Sequence, residues 1–340
     1  MRAVALVLVL LTAPVAPAQY GETITVARVL VDVRVTLPDG EPVTGLGAGD
    51  FTARIGGRPA VVESAEWIVD DPAAVDAAGD TAGDAVIPTA ERPAGRTFVV
   101  FIQTDFGRNS QRLKGQMAFN HRLIEFIRSL PPDDRVAVFS FDSHLKFRSD
   151  LTTDREAVAA AILDALRIDT PPWPLPVPEP SLAARLDRDA MRRATSSEAA
   201  LLQMANALAH IEGPKSLILA GWGLGARAGG VVGMKRPWKA ARHALDASRV
   251  SIFALDTTLA SYHDLEIGMK TAAAQTGGFY AKTHELAQAA VERLQRTLSG
   301  HYELTLRTDA PLRPGAHALS LRVARRGTMT LAPSSVIIRP

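Results

Sequence analysis

From Val29 to Val35 valines alternate with Leu30, Asp32 and Arg34, the period-two pattern of a strand with one buried face. Pro38-Asp39-Gly40 supplies a turn, and VTGL reads as the start of a second strand. DFTARIGGRPAVVESAEW repeats the plan, with Gly56-Gly57 between two strand-like runs. Residues 22–70 are therefore expected to form a small N-terminal β module. Residues 71–95, rich in Ala, Asp, Gly and Pro without period, read as a linker or long exposed loop.

The texture changes at Arg96. RTFVVFI, RVAVFSF, KSLILAG and RVSIFALD read as strands, most of them continuous apolar runs rather than alternating ones, which argues for burial on both faces of a parallel sheet. Helical patterns separate them. QMAFNHRLIEFIRSL places Phe119, Leu123, Phe126 and Leu130 on one face and stops at Pro131-Pro132. TTDREAVAAAILDALR follows, with Thr152 or Thr153 as the expected N-cap. SSEAALLQMANALAHI, PWKAARHALDAS, LEIGMKTAAAQTGG and HELAQAAVERLQRTLS complete the helices, and FYAK is a short strand. TPPWPLPVPEP, at 170–180, fits neither helix nor central strand and reads as an exposed insertion. Period-two strands return over 300–340 and are expected to pack with the N-terminal module. The predicted fold class is α/β: a Rossmann-like, mainly parallel sheet wrapped by helices at 96–299. A β-sandwich-like module from the N- and C-terminal strands accompanies it.

Composition narrows the function. The 340 residues are 47% hydrophobic and 22% charged, enough for more than one core. Net charge is +2, and no block of Lys/Arg interleaved with aromatics argues for nucleic acid. There is no Cys, which excludes disulfides, thiol chemistry and Cys-based metal binding. MRAVALVLVLLTAPVAPA has an early Arg2, an apolar run from Ala3 to Leu11 and Ala16-Pro17-Ala18 at the end. Residues 1–18 read as a secretory signal peptide cleaved before Gln19. The apolar run is about half the ~20 residues needed to span a bilayer. No Cys follows for lipid attachment, and no later segment is long and apolar enough to span. The expected location is periplasmic or secreted.

Three stretches resemble one family in order and spacing. VDVRVTLPDGEPVTGLGAGDFTARIGGRPAVVESAEW is similar to the β module that opens the exported bacterial VWFA-related proteins. IEGPKSLILAGWGLG resembles their third sheet strand. AAAQTGGFYAKTHELAQAAVERLQRTLSGHYELTL resembles their T-G-G-x-Y segment, final helix and exit strand. The resemblance implies a von Willebrand factor type A domain, whose first-strand loop usually carries D-x-S-x-S, the core of a metal-ion-dependent adhesion site. A Thr and an Asp from two further loops complete that site. In this chain Gln103, Asp105 and Gly107 stand where Asp, Ser and Ser belong, and Thr195 is the candidate for the family's Thr. Ala220-Gly221-Trp222-Gly223 replaces the Thr-Asp-Gly that would bring the second carboxylate. A hard dication held by Asp105, Gln103 and Thr195 alone would have one charged ligand, so Mg²⁺ is expected to bind weakly and no resident cofactor is expected.

Other chemistry finds little anchor. GWGLGARAGG lacks the Lys-Ser/Thr ending of a phosphate loop and the spacing of a dinucleotide fingerprint. The eight His are scattered, with no H-E-x-x-H and no G-x-S-x-G nucleophile elbow. His263-Asp264 reads as a surface loop. Asp142 and Asp256 follow or end strands at the loop edge of the sheet. Trp173, Trp222 and Trp238 read either as interface anchors or as plugs folded back on their own domain. The leading expectation is an exported, non-enzymatic module that binds protein, independently of metal, through loops carrying Gly107, Asp142, Trp222 and Asp256. Two alternatives stand beside it: an exported hydrolase built from Asp105, Asp142, Asp256 and a nearby His, and a structural protein of the cell envelope.

Overall fold

The structure, a computed structural model, describes residues 27–71, 95–105, 109–178, 180–284, 286–309 and 312–338. The expected signal peptide, Gly107 and linker residues 72–94 lie outside them.

The chain opens with β1 (Ala27–Thr36), whose Val31, Val33 and Val35 are buried while Leu30 is exposed. VTGL, expected to start a strand, is a loop. The buried Tyr302 hydroxyl donates to Val43 O at 2.9 Å and accepts from Leu46 N–H at 3.0 Å, satisfying backbone groups that a partner strand would otherwise have to meet. The hairpin β2 (Phe51–Ile55) and β3 (Arg58–Val69) turns at Gly56-Gly57, with φ of 58° and 79°, a region that side chains rarely enter.

β4 (Thr97–Gln103) leads into α1 (Ser110–Ser129), capped by Asn109 and stopped before Pro131. β5 (Arg135–Phe141) then turns into β6 (Leu145–Thr152), a strand that the mixed sequence LKFRSDLT conceals. α2 (Arg155–Asp164) is capped by Asp154 rather than by the expected Thr152 or Thr153, its carboxylate accepting from the Glu156 and Ala157 N–H groups. Among its described residues the Pro-rich segment carries no helix or strand, as expected, but Trp173 is not free in solvent. It packs edge-on against Phe147 at 5.5 Å, beneath Arg188. The buried Asp150 of β6 holds the end of the insertion by accepting from Ser181 Oγ at 2.6 Å and Leu182 N–H at 2.8 Å.

α3 (Arg188–Arg193), α4 (Ser197–Leu208) and β7 (Lys215–Gly221) follow. The glycine-rich loop then forms a small hairpin, β8 (Ala226–Ala228) and β9 (Val231–Gly233). Next come α5 (Trp238–Ala247), β10 (Val250–Asp256), and α6 (Glu266–Thr276), closed by Gly277 at φ 79°. β11 (Tyr280–Lys282) and α7 (Ala287–Thr297) complete this part. The tail supplies β12 (Gly300–Thr308), β13 (Gly315–Val323), β14 (Met329–Leu331) and β15 (Ser335–Ile338).

Six strands form one sheet in the order β11-β10-β7-β4-β5-β6, parallel except for β6, which runs antiparallel at the edge. Alternate residues of β4 serve two cores. Val99 and Phe101 pack on one side of the sheet, and Phe98, Val100 and Ile102 on the other. This explains why the strand is apolar at every position from Phe98 through Ile102. Counted along the chain the strands lie 3-2-1-4-5-6, so the order reverses between β4 and β7. In open α/β sheets the crevice at such a reversal, beyond the carboxyl ends of the strands, is the favoured ligand position.

The remaining long strands form an antiparallel sheet, β14-β1-β12-β3-β2-β13-β15, in which N- and C-terminal segments interleave. Its core gathers Val33 and Val35 from β1 together with Val336 from β15, near opposite ends of that order, so the sheet bends around a single interior. At its junction with the parallel sheet, Arg249 is held at φ 54°, a conformation rare for residues other than Gly. Its guanidinium reaches Asp32 at 2.8 Å and Glu303 at 2.6 Å, tying β1 and β12 to the start of β10.

Asp246 lies at the same junction. Burial pushes its carboxyl up to about 6, against the opposing pull of the Ser335 hydroxyl and Arg242. The folded state thus keeps this proton over the range from 3.8 to about 6, where the unfolded chain has lost it. The cost of ionisation is absent below that window and complete above it. Asp246→Asn retains an acceptor for Ser335 and should raise the unfolding free energy near neutral pH by about 1–2 kcal/mol, after a discount for partial exposure. Urea unfolding at two pH values checks this: the gain should disappear near pH 4.

Candidate functional site

The reversal point between β4 and β7 is occupied by a side chain of the protein itself. Gln103, the last residue of β4, is 0% exposed. Its Oε1 accepts from the Trp222 N–H at 2.9 Å and the Gly223 N–H at 3.1 Å. Its Nε2 donates to Ser197 Oγ and to Gly223 O, both at 2.8 Å. A primary amide has two donor hydrogens and two acceptor lone pairs, so every hydrogen-bonding capacity of Gln103 is used. The carbonyl that was a candidate metal ligand is committed to two backbone amides.

The sequence around Gln103 follows from this arrangement. A Cβ on Gly221 would lie 2.1 Å from Gln103 Oε1, so the amide needs a glycine there, where the resembled family carries its Thr-Asp-Gly. From the second loop the residue that reaches Gln103 is Ser197, in the first turn of α4. Thr195, two positions earlier, is exposed, and its backbone N–H turns to Arg193 O at 2.9 Å. Next to Ser197, the buried carboxylate of Glu198 accepts from the Gly225 N–H at 2.7 Å and the Lys235 N–H at 3.3 Å. The start of α4 thereby holds the loop after β7 at both ends.

Asp105 lies at the rim. Its Oδ2 accepts from the Asn109 N–H at 2.9 Å and stands 3.5 Å from Arg112 Nη1. The Arg112 guanidinium in turn lies 4.1 Å above the half-buried Trp222 ring, a cation–π contact linking the first turn of α1 to the loop after β7. Asp142 is drawn away into the β5–β6 turn, where Lys146 Nζ sits at 2.6 Å and the Ser143 hydroxyl at 2.9 Å. Burial acts to raise its carboxyl, but the hydrogen bonds from Lys146 and Ser143 outweigh that and hold it low. Trp238 is buried, with Nε1 donating to Gln275 at 2.8 Å, and so serves the core.

The third carboxylate, Asp256, ends β10 and is 0% exposed. Its Oδ2 meets His263 Nε2 and the Tyr280 hydroxyl, each at 2.7 Å, and its Oδ1 accepts from the Thr258 N–H at 3.0 Å. His263 thus engages Asp256 rather than its neighbour Asp264, which pairs with Arg227 at 2.8 Å. Burial works to raise Asp256, yet the bonds from His263 and Tyr280 hold it below the usual carboxylate range. The same contact pushes the Tyr280 phenol up, after burial itself.

Ligand atoms of Asp256, His263 and Glu266 all lie within 4.8 Å of one another, a spacing compatible with a cation. The surrounding charge argues against one. Lys270 Nζ is 2.6 Å and Lys282 Nζ 2.7 Å from the two Glu266 oxygens, so two ammonium groups already balance the two carboxylates. A dication would have to displace them. The three carboxylates Asp105, Asp142 and Asp256 sit in three separate local networks, and only Asp256 has a histidine partner among the bonds described above. The cavities of 840 Å³ and 320 Å³ are lined by other residues. Neither His263 nor Ser197 carried a sequence signal, because each acts through a partner far along the chain or across a turn.

No family model matches the chain, and no curated protein matches it. Solved structures do overlap it. Proximal thread matrix protein 1 from the mussel byssus is 14% identical with a TM-score of 0.41, over 60% of this chain and 48% of that one, so the match spans about half of that protein. A von Willebrand factor type A protein from Catenulispora acidiphila is 10% identical with a TM-score of 0.41, over 92% of this chain and 74% of that one. An aerotolerance-related membrane protein from Bacteroides fragilis is 12% identical with a TM-score of 0.42, over 60% and 98%. At this depth the overlaps carry no argument about the site. Among the described residues, no helix is long and apolar enough to cross a membrane. The chain builds a mainly parallel, doubly wound sheet whose reversal point is closed by Gln103.

Proposed function

We propose that this chain is an exported, non-enzymatic binding module of the von Willebrand factor A type, which engages a protein partner through the loops above Gln103 without a metal. The observation that carries this reading is the saturated amide of Gln103. It fills the crevice where a small ligand or an ion would sit. What remains at this end of the sheet is a surface, with Trp222 under Arg112 as its aromatic anchor, and Trp and Arg are residue types that dominate protein interfaces. The dispersal of Asp105, Asp142 and Asp256 supports a non-enzymatic reading over a hydrolase. The signal-like first 18 residues support export.

Metal independence has a direct test. Thermal unfolding of the chain from Gln19 onward should be the same in EDTA as in millimolar Mg²⁺, Mn²⁺ or Ca²⁺. A ligand specific for the folded state would stabilise it by about 2.7 kcal/mol at a hundred times its dissociation constant. A rise in melting temperature that disappears in Asp105→Ala would mean that the rim carboxylate holds an ion after all. Partner capture should likewise survive EDTA and be lost in Trp222→Ala.

A further inference from the structure

Between Glu212 and Asp246 the chain has no acidic residue, but it carries Arg227, Lys235, Arg236, Lys239 and Arg242 around the β8–β9 hairpin and along α5. The hairpin is a separate two-stranded sheet that turns at Gly229-Gly230, both at positive φ (57° and 83°). Two short strands alone are marginal in water. Here Glu198 pins the base from both sides, through the N–H groups of Gly225 and Lys235. The projection is therefore held in place, and it presents an apolar tip: Val231 is 71% exposed. Lys235, Arg236 and Lys239 are exposed and make no ion pair among the described residues, while Arg227 pairs with Asp264. Like charges crowd this face: after burial, it is Arg242 and Lys239 that push the His243 imidazole down.

We propose that the β8–β9 hairpin and the adjoining face of α5 dock this protein on an anionic lipid surface, with Val231 entering the headgroup layer and Lys235, Arg236 and Lys239 meeting lipid phosphates. This surface is additional to the partner-binding loops above Gln103. Charge complementarity selects an anionic ligand, and the apolar tip selects a lipid over a soluble polymer. An exposed valine at the apex gains by leaving water for an apolar layer, whereas the exposed cations gain from any dense array of phosphates.

Co-sedimentation with vesicles tests the proposal, using the chain from Gln19 onward. Phosphatidylcholine vesicles should retain little protein. Vesicles enriched in phosphatidylglycerol should retain much more, and added salt should reverse the binding. Arg236→Ala with Lys239→Ala should lower the partition coefficient by about 25-fold, from roughly fivefold per cation. Val231→Asp should lower it by roughly fivefold or more while leaving the melting temperature unchanged. Equal retention on the two vesicle types, or none on either, overturns the proposal. So does a Val231→Asp variant that binds as well as the parent, since the surface would then be reading charge alone. Heparin retention that depends on Arg236 and Lys239, without vesicle binding, would identify a soluble acidic polymer instead.

Discussion

Gln103→Leu should lower the unfolding free energy by about 3–4 kcal/mol, although the two side chains have similar volume. The substitution leaves the Trp222 and Gly223 N–H groups, Gly223 O and the Ser197 hydroxyl without their partner. Each buried polar group left unpaired costs about 1–3 kcal/mol, and partial relaxation of the loop toward water keeps the total below the full sum. Ser197→Ala removes one of these bonds and should cost only about 1 kcal/mol. Gly221→Ala tests the same contact from the other side, since its methyl would lie 2.1 Å from Gln103 Oε1. In a Gln103→Ala background that clash is relieved, so the two substitutions should be strongly non-additive, with a coupling of about 1–3 kcal/mol. Urea unfolding of the four proteins measures it. Simple additivity would mean that the loop is not held by the amide.

Asp256→Ala should cost about 3 kcal/mol at neutral pH, because a fully buried carboxylate loses three donors at once: His263, the Tyr280 hydroxyl and the Thr258 N–H. The pH dependence has a definite sign. Asp256 is held below the ordinary value of 3.8 in the fold, since the bonds from His263 and Tyr280 outweigh the effect of burial. Its contribution to stability is therefore complete above the unfolded-state value and is lost as pH falls through the lower folded one. The gap between the parent and Asp256→Ala should stay constant from neutral pH down to about 4 and narrow only below it. A gap that closes between pH 5 and 7 would instead assign the pH dependence to another group. Tyr280→Phe, which removes one donor, should cost about 1 kcal/mol under the same conditions.

Much of this architecture follows from local pattern. The largely apolar, non-alternating runs of β4, β5, β7 and β10 report burial on two faces, and the period-two valines of β1 report burial on one. Helix ends follow from Pro131 and Gly277, which act on their own neighbours through lost donors or positive φ. Where a residue's role depended on something distant, the pattern failed. β6 reads as polar because it is an edge strand whose charged side chains find partners elsewhere: Arg148 reaches Asp169, and Asp150 takes the Ser181 hydroxyl. VTGL forms no strand: a tyrosine far along the chain meets its Val43 carbonyl and Leu46 N–H, while the Val43 N–H turns to Val35 O of β1.

The site divides the same way. Local sequence placed Gln103, Asp105, Trp222 and Asp256 at the carboxyl ends of strands, since strand ends are visible in the apolar pattern. It did not identify Ser197 in place of Thr195 as the partner of Gln103, or His263 as the partner of Asp256. Nor did it show that Gln103 uses all four of its hydrogen-bonding positions internally. Apolar periodicity is a property of neighbouring residues and is written along the chain. A hydrogen bond between residues 103 and 223 depends on how two loops meet in space, and only the folded sheet brings them together.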